Sequence, residues 1–280
     1  MALDMDMQRP AAEIVRSSGS SFTAGMRCLS HDRRRAIFAV YAFCRVVDDI
    51  ADGGSNVEAK TLALDAWQRE VDLAREGQAD TPLGAELTWA IRNFGLPDAE
   101  LDLVIEGMRM DVGGMCAPDW RTLDAYVRRV AGSVGLLSMH IFGAWRGESS
   151  HRFALSLARA LQLTNILRDV EEDAAIGRIY LPSDLMERAG VPTDPRRVPG
   201  ADGLPQVRAL LAARARTAFE AAEAEVPSHN RLRLLPALMM MGPYARMLTA
   251  IEIDPTRPPP PRNGLQKLRD GLRCTLRGRA

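Results

Sequence analysis

Apolar residues recur every three or four positions along most of the chain, while the alternation expected of strands is scarce, so the pattern predicts helix after helix. Asp32 stands where a capping residue is wanted, and the helix it opens runs through Arg35 to about Asp52, where Gly53-Gly54 ends it. The next runs from Glu58 to Gly77 with Leu62, Trp67, Val71 and Leu73 on its apolar side. Pro82 to Phe94 follows, closed by Gly95 and Pro97, and then Asp98 to Asp111 with Leu101, Val104, Ile105 and Met108. Gly113-Gly114 and Pro118 mark a loop. Leu123 to Ala144 reads as one long helix although Gly132 and Gly135, at i and i+3, leave one side of it bare. Such bareness serves tight helix packing or a ligand, and the small neighbours Ala131 and Ser133 favour the ligand.

Phe153 to about Asp173 is helical again, followed by the loop Ile176 to Pro182. Residues 190–205 are rich in Pro and Gly and form a surface connection too short to divide domains. Two more helices span about 206–225 and 230–252. Pro258 to Pro261 is a stiff spacer, and no repeat of fixed period appears. The expected architecture is all-α: an N-terminal tail over 1–16, one helical-bundle domain over 17–257 with its site in the core between facing helices, and a spacer and tail over 258–280.

Composition narrows the function. The chain has 280 residues, 46% of them hydrophobic, and no net charge, so the global basic field that marks nucleic-acid binding is missing. Cys28, Cys44, Cys116 and Cys274 lack metal-ligand spacing and read as reduced thiols. His31, His140, His151 and His229 show neither zinc-ligand spacing nor a Ser or Cys partner, and His140 reads as a satisfied core residue. No run of eighteen apolar residues and no signal peptide is present, so a cytoplasmic location is expected.

Two acidic clusters interrupt the apolar pattern. Asp48 and Asp52 lie at i and i+4, as do Asp169 and Asp173, which puts each pair on one helix face about 6 Å apart. Acids so spaced also mark solvated faces. Here, however, each belongs to a polar stripe: Tyr41, Arg45, Asp48 and Asp52 step by four, three and four, and Gln162, Asn165, Asp169 and Asp173 by three, four and four. Apolar residues surround both stripes, so they should face inward, where like charges need a cation. Hard oxygen ligands with positions left for water and phosphate suit Mg²⁺, so the chain looks built to grip a diphosphate.

The runs Tyr41-Ala42-Phe43-Cys44-Arg45-Val46-Val47-Asp48-Asp49-Ile50-Ala51-Asp52 and Gln162-Leu163-Thr164-Asn165-Ile166-Leu167-Arg168-Asp169, continuing to Gly177-Arg178-Ile179-Tyr180-Leu181-Pro182, closely resemble the squalene and phytoene synthase family. The likeness covers about Ser17 to Lys267. Ser18-Gly19-Ser20-Ser21-Phe22, Gly107-Met108-Arg109-Met110-Asp111 and the overall length look most like its presqualene diphosphate synthase branch in bacterial hopanoid pathways. The resemblance implies an all-α isoprenoid synthase that joins two farnesyl diphosphates head to head. It also implies that Asp48, Asp52, Asn165, Asp169 and Asp173 hold Mg²⁺, with Arg45 beside them in the catalytic set. Ser18, Ser21, Tyr41, Arg45, Gln162, Arg168 and Tyr244 match substrate-contacting positions. Arg178 and Tyr180 belong to a flap-like loop that could close over the leaving pyrophosphate, and Lys267 could reach it too.

Ionising an allylic diphosphate demands that the leaving anion be stabilised and water be kept from the cation. Mg²⁺ and arginine answer the first demand. For the second, Met139, Ile141, Phe142, Leu163, Leu167, Met239, Met240 and Met241 could line a dry tunnel, though each could equally be ordinary core. One departure stands out: many relatives carry a tyrosine before the central Val-Ala-Gly, whereas Arg129 precedes Val130-Ala131-Gly132, with Tyr126 a turn earlier. Both stay outside the catalytic set. No G-x-G-x-x-G offers a nicotinamide site, in keeping with a reaction that stops at presqualene diphosphate. Phytoene synthase, a full squalene or dehydrosqualene synthase, and a helical assembly protein without catalysis are the alternatives. In the tail, Leu265, Leu268, Leu272 and Leu276 recur among Lys267, Arg269, Arg273, Arg277 and Arg279 as a basic amphipathic helix. It would rest on anionic lipid at the inner membrane face or dock on its own domain. Downstream squalene and hopanoid enzymes are the natural partners.

Overall fold

A computed structural model describes residues 10–17, 25–26 and 28–279. Helix α1 (Ala11–Ser17) lies in the stretch expected to be tail, yet it buries Ala11, Ile14 and Val15 against α2 (His31–Asp52). Helix α2 starts one residue before the predicted cap: Ser30 takes the capping position without a side-chain bond, and Asp32 sits in the first turn. Asn56 caps α3 (Val57–Glu76) and Thr81 caps α4 (Pro82–Phe94), each accepting a hydrogen bond from a first-turn amide. Next comes α5 (Asp98–Val112).

The predicted long central helix is interrupted. It is built as α6 (Trp120–Val127), a π-helical turn over Arg128–Gly132, and α7 (Ser133–Phe142). The two glycines face packing rather than open space. A Cβ on Gly135 would lie 3.0 Å from the Ala154 carbonyl oxygen, and one on Gly132 would lie 3.0 Å from Leu155. Close backbone approach therefore accounts for the bare side, although Gly135 also borders a cavity. The acidic helix is broken as well, into α8 (Glu148–Arg168) and α9 (Val170–Ala175). At the break the Asp169 amide donates to Asn165 and the Asp173 amide donates to Asp169, so the four-residue step survives and the two acids stay on one side.

After α10 (Ser183–Arg188), the long helices α11 (Leu204–Glu225) and α12 (Arg231–Ile253) complete the bundle, and α13 (Gly264–Arg277) returns along α12. Buried apolar side chains from Ala11 to Cys274 merge into a single cluster. By length and composition α12 is apolar enough to cross a bilayer, with mean hydropathy 1.3. Two-thirds of that window (67%) is buried, between α8, α11 and α13, as befits a core helix. His140, expected in the core, is half-buried and stacked on Trp145 at 4.4 Å.

Candidate active site

Helix α2 and the α8–α9 pair turn their polar stripes toward one cavity of about 580 Å³. Tyr41, Arg45, Asp48 and Asp52 come from α2. Gln162, Asn165, Arg168, Asp169, Glu172 and Asp173 come from the facing pair, Tyr244 from α12, and Arg178 and Tyr180 from the loop that follows α9. The predicted site residues are thus gathered there, apart from Lys267, which is not in its wall, and Ser18 and Ser21, which lie outside the described residues. The stripes face a chamber open to solvent rather than a closed core. The Asp48 and Asp52 side chains keep 42% and 46% of their surface exposed.

The charges in this chamber do not balance. Six acids (Asp48, Asp52, Asp111, Asp169, Glu172 and Asp173) line it against three arginines. Each arginine is already engaged: Arg45 with Asp48 at 3.3 Å and Asp49 at 2.6 Å, Arg168 with Asp169, and Arg178 with Asp52 and the Ala51 carbonyl. Burial, and then the neighbouring Asp52, pushes the Asp48 carboxyl up to about 7 against the pull of Arg45. Burial and then Asp169 raise Asp173 to about 7. A chamber this negative repels an anionic diphosphate unless cations enter with it.

The donor set fits a hard divalent ion. Two carboxylate pairs supply oxygens, and the Asn165 Oδ1 is buried without a hydrogen-bond partner. Among the described residues no three Asp, Glu, His or Cys side chains converge into a ready cage.

A second group was missed on the sequence. Asp111, at the end of α5, is 5% exposed and accepts hydrogen bonds from the Tyr126 hydroxyl at 3.1 Å and the Tyr180 hydroxyl at 2.6 Å. The two rings stack with centroids 5.1 Å apart. Burial raises the Asp111 carboxyl to about 6, opposed by the hydroxyl of Tyr180. Tyr126 therefore faces the chamber. Arg129 does not: it pairs with Glu106 at 3.0 Å and lines neither cavity, so no extra positive charge enters there. Tyr126 belongs to the last turn of α6, whereas Arg129 belongs to the π turn that follows it.

The flap-like loop is already docked. Its Ile179 amide donates to Met115 and its Ile179 carbonyl accepts from Ala117, which holds Arg178 and Tyr180 at 8% and 6% exposure. Lys267 lines neither cavity.

Beneath the polar chamber lies an apolar one of about 280 Å³, and Tyr41, Cys44, Val130, Gln162 and Asn165 belong to both walls. Of the predicted tunnel residues, Met139, Phe142 and Met240 line it, while Ile141, Leu163, Leu167, Met239 and Met241 pack in the core. Ile37, Val40, Val134, Leu157 and Leu161 are among the other residues that line it, on helical faces whose orientation depends on partner helices. Burial pushes the Cys44 thiol up to about 12, so no nucleophilic thiolate meets the cavity. The tertiary structure does bring a serine to one histidine: Ser150 Oγ lies 2.8 Å from His229 Nε2. Ser150 is fully buried and neither residue borders either chamber, so the pair is structural.

An all-helical bundle that opens an acid-and-arginine chamber onto an apolar one defines an isoprenoid synthase. The chain belongs to the squalene/phytoene synthase family, whose profile matches residues 15–269. Over 240 residues it is 45% identical to the presqualene diphosphate synthase of Rhodopseudomonas palustris, covering 84% of each chain. It is 41% identical to that of Zymomonas mobilis over 244 residues, covering 85% of this chain and 81% of the relative. The crystal structure of squalene synthase HpnC from Alicyclobacillus acidocaldarius superposes with a TM-score of 0.80 at 29% identity, over 92% of this chain and 97% of that one. Membership makes the chain a prenyltransferase of the class that works on prenyl diphosphates.

Proposed function

We propose that the chain is a Mg²⁺-dependent presqualene diphosphate synthase. It would join two farnesyl diphosphates head to head and release one pyrophosphate. The observation that carries this reading is the continuity of a net-negative polar chamber with an apolar one across the shared wall of Tyr41, Cys44, Val130, Gln162 and Asn165. A charged head and a hydrocarbon tail on one molecule need those two environments side by side.

Mg²⁺ held by Asp48, Asp52, Asn165, Asp169 and Asp173 would neutralise the diphosphate and favour its departure. Arg45, Arg168 and Arg178 then have phosphate oxygens to exchange for their present carboxylate partners. As the carbon–oxygen bond of the first substrate breaks, its electron pair leaves with pyrophosphate. The 2,3 double bond of the second substrate attacks the freed carbon 1, and loss of one proton closes a cyclopropane. Pyrophosphate, held by the arginines, is the base at hand. The apolar walls and the protonated Cys44 thiol keep competing nucleophiles from the cation. Asp111 orients Tyr126 and Tyr180 at the chamber wall.

We place the enzyme in the cytoplasm on a hopanoid route, since a thirty-carbon product partitions into lipid and downstream squalene and hopanoid enzymes must collect it. Incubation with farnesyl diphosphate and Mg²⁺, with and without NADPH, followed by mass spectrometry, tests the reading. Presqualene diphosphate should accumulate without NADPH. Squalene as the sole product, or preferential turnover of geranylgeranyl diphosphate to a forty-carbon product, would refute it.

A further inference from the structure

Helix α13 does two things at once. Through one side it docks on α12: Asp270, Gly271 and Cys274 are buried, and Arg262 pairs with Asp270 beneath it. Backbones meet at this contact, because a Cβ on Gly242 would lie 2.3 Å from the Asp270 carbonyl oxygen and one on Gly271 would lie 2.7 Å from that of Met239. Its first turn is fixed by a capping box between Asn263 and Gln266, and its last by Arg231, which donates to the Leu276 carbonyl. The helix is therefore a rigid part of the bundle.

Its other side is left uncovered by the described residues. Leu265, Leu268, Leu272 and Leu276 are 79%, 44%, 47% and 78% exposed, and Leu232, beside Arg231, is 80% exposed. A stripe of leucines on one helix face is an interaction surface rather than scattered exposure. The charge around it is one-sided. Residues 255–280 carry seven Lys or Arg and a single acid, Asp270, which is buried and paired, in a chain whose net charge is zero.

We infer that this face is a docking surface for an anionic phospholipid bilayer, with the leucines immersed at the acyl boundary and the exposed Arg269, Arg273 and Arg277 at the headgroups. Apolar immersion and cationic flanks are the two terms that hold an interfacial helix. Charge complementarity selects the bilayer over a second copy of the chain, since two such faces would oppose like charges. The same α12 segment that seats Gly271 supplies Pro236, Ala237 and Met240 to the apolar chamber. One helix layer thus separates the membrane face from the chamber. This surface does not depend on which prenyl diphosphate the chamber takes.

The test uses the full chain, because truncation would strip the packing around Gly242. Vesicles of phosphatidylcholine alone and with about one-third phosphatidylglycerol are floated with the protein, its Leu265→Gln/Leu276→Gln variant and its Arg273→Gln/Arg277→Gln variant. The parent should float with the anionic vesicles and largely not with the neutral ones, and each double variant should bind at least about tenfold more weakly. Turnover of detergent-dispersed substrate should be the same in all three proteins. Equal recovery with both vesicle types, or undiminished binding by both variants, overturns the proposal. So does a concentration-dependent dimer in sedimentation equilibrium that the leucine variant abolishes.

Discussion

Replacing Asp48 by Asn should stabilise the cation-free protein while damaging the site. Asp48 has an ordinary carboxyl value of 3.8 in the unfolded chain and is lifted to about 7 in the fold by burial and by Asp52. The folded state therefore holds its proton more tightly, and stability falls as pH climbs from about 4 through about 7. At about 1.4 kcal/mol per unit, the full shift corresponds to about 4 kcal/mol of penalty at pH 8. The side chain keeps 42% of its surface in solvent, and screening reduces this to about 1–2 kcal/mol. An amide never ionises, and Arg45 retains Asp49 at 2.6 Å after losing its weaker contact at 3.3 Å. In a domain of this size that gain raises Tm by about 3–6 °C. Thermal unfolding in EDTA at pH 8 and pH 5 checks it: the gain should be full at pH 8 and less than half as large at pH 5. A variant that melts at or below the parent at pH 8 would show that the acids are not in conflict, and the case for a cation-demanding chamber would fall with it.

Mg²⁺ with pyrophosphate should raise the parent Tm by several degrees where neither does alone, and Asp48→Asn should lose most of that response in the same scan; a silent parent would favour a helical protein without catalysis. Asp111→Leu removes the acceptor that the buried Tyr126 and Tyr180 hydroxyls share and should cost about 1–3 kcal/mol, read by urea titration, whereas Asp111→Asn should fold nearly as well as the parent and turn over more slowly. Gly135→Leu presses on the Ala154 carbonyl and fills the apolar chamber. It should cost about 1–3 kcal/mol and block turnover, while calorimetry still detects Mg²⁺-pyrophosphate. Gly242→Val cannot coexist with the present α12–α13 contact, and limited proteolysis should cut the 254–263 connection faster than in the parent.

Local spacing determined much of this protein by itself. The 3.6-residue period and the glycine stops outlined the helices, while the cap expected at Asp32 fell two residues earlier, at Ser30. The four-residue steps of Tyr41, Arg45, Asp48 and Asp52, and of Gln162, Asn165, Asp169 and Asp173, made two polar faces legible, because neighbours on one helix turn need nothing beyond the chain next to them. The tail's leucine stripe was legible for the same reason.

What only the tertiary structure decided depends on contacts between distant segments. Asp111 meets Tyr126 across 15 residues and Tyr180 across 69, and Ser150 meets His229 across 79, with no periodic signal linking them. Arg129 turned to Glu106 and Tyr126 to Asp111, and the break at Asp169 left the acid stripe in place because its hydrogen bonds carried across. Which apolar residues became chamber and which became core was likewise unreadable, since an isolated helix shows one apolar face whether a side chain or a substrate fills the space beside it. Whether the α13 leucines faced α12 or solvent rested on Gly242 and Gly271, whose missing side chains let the opposite face of the helix settle inward.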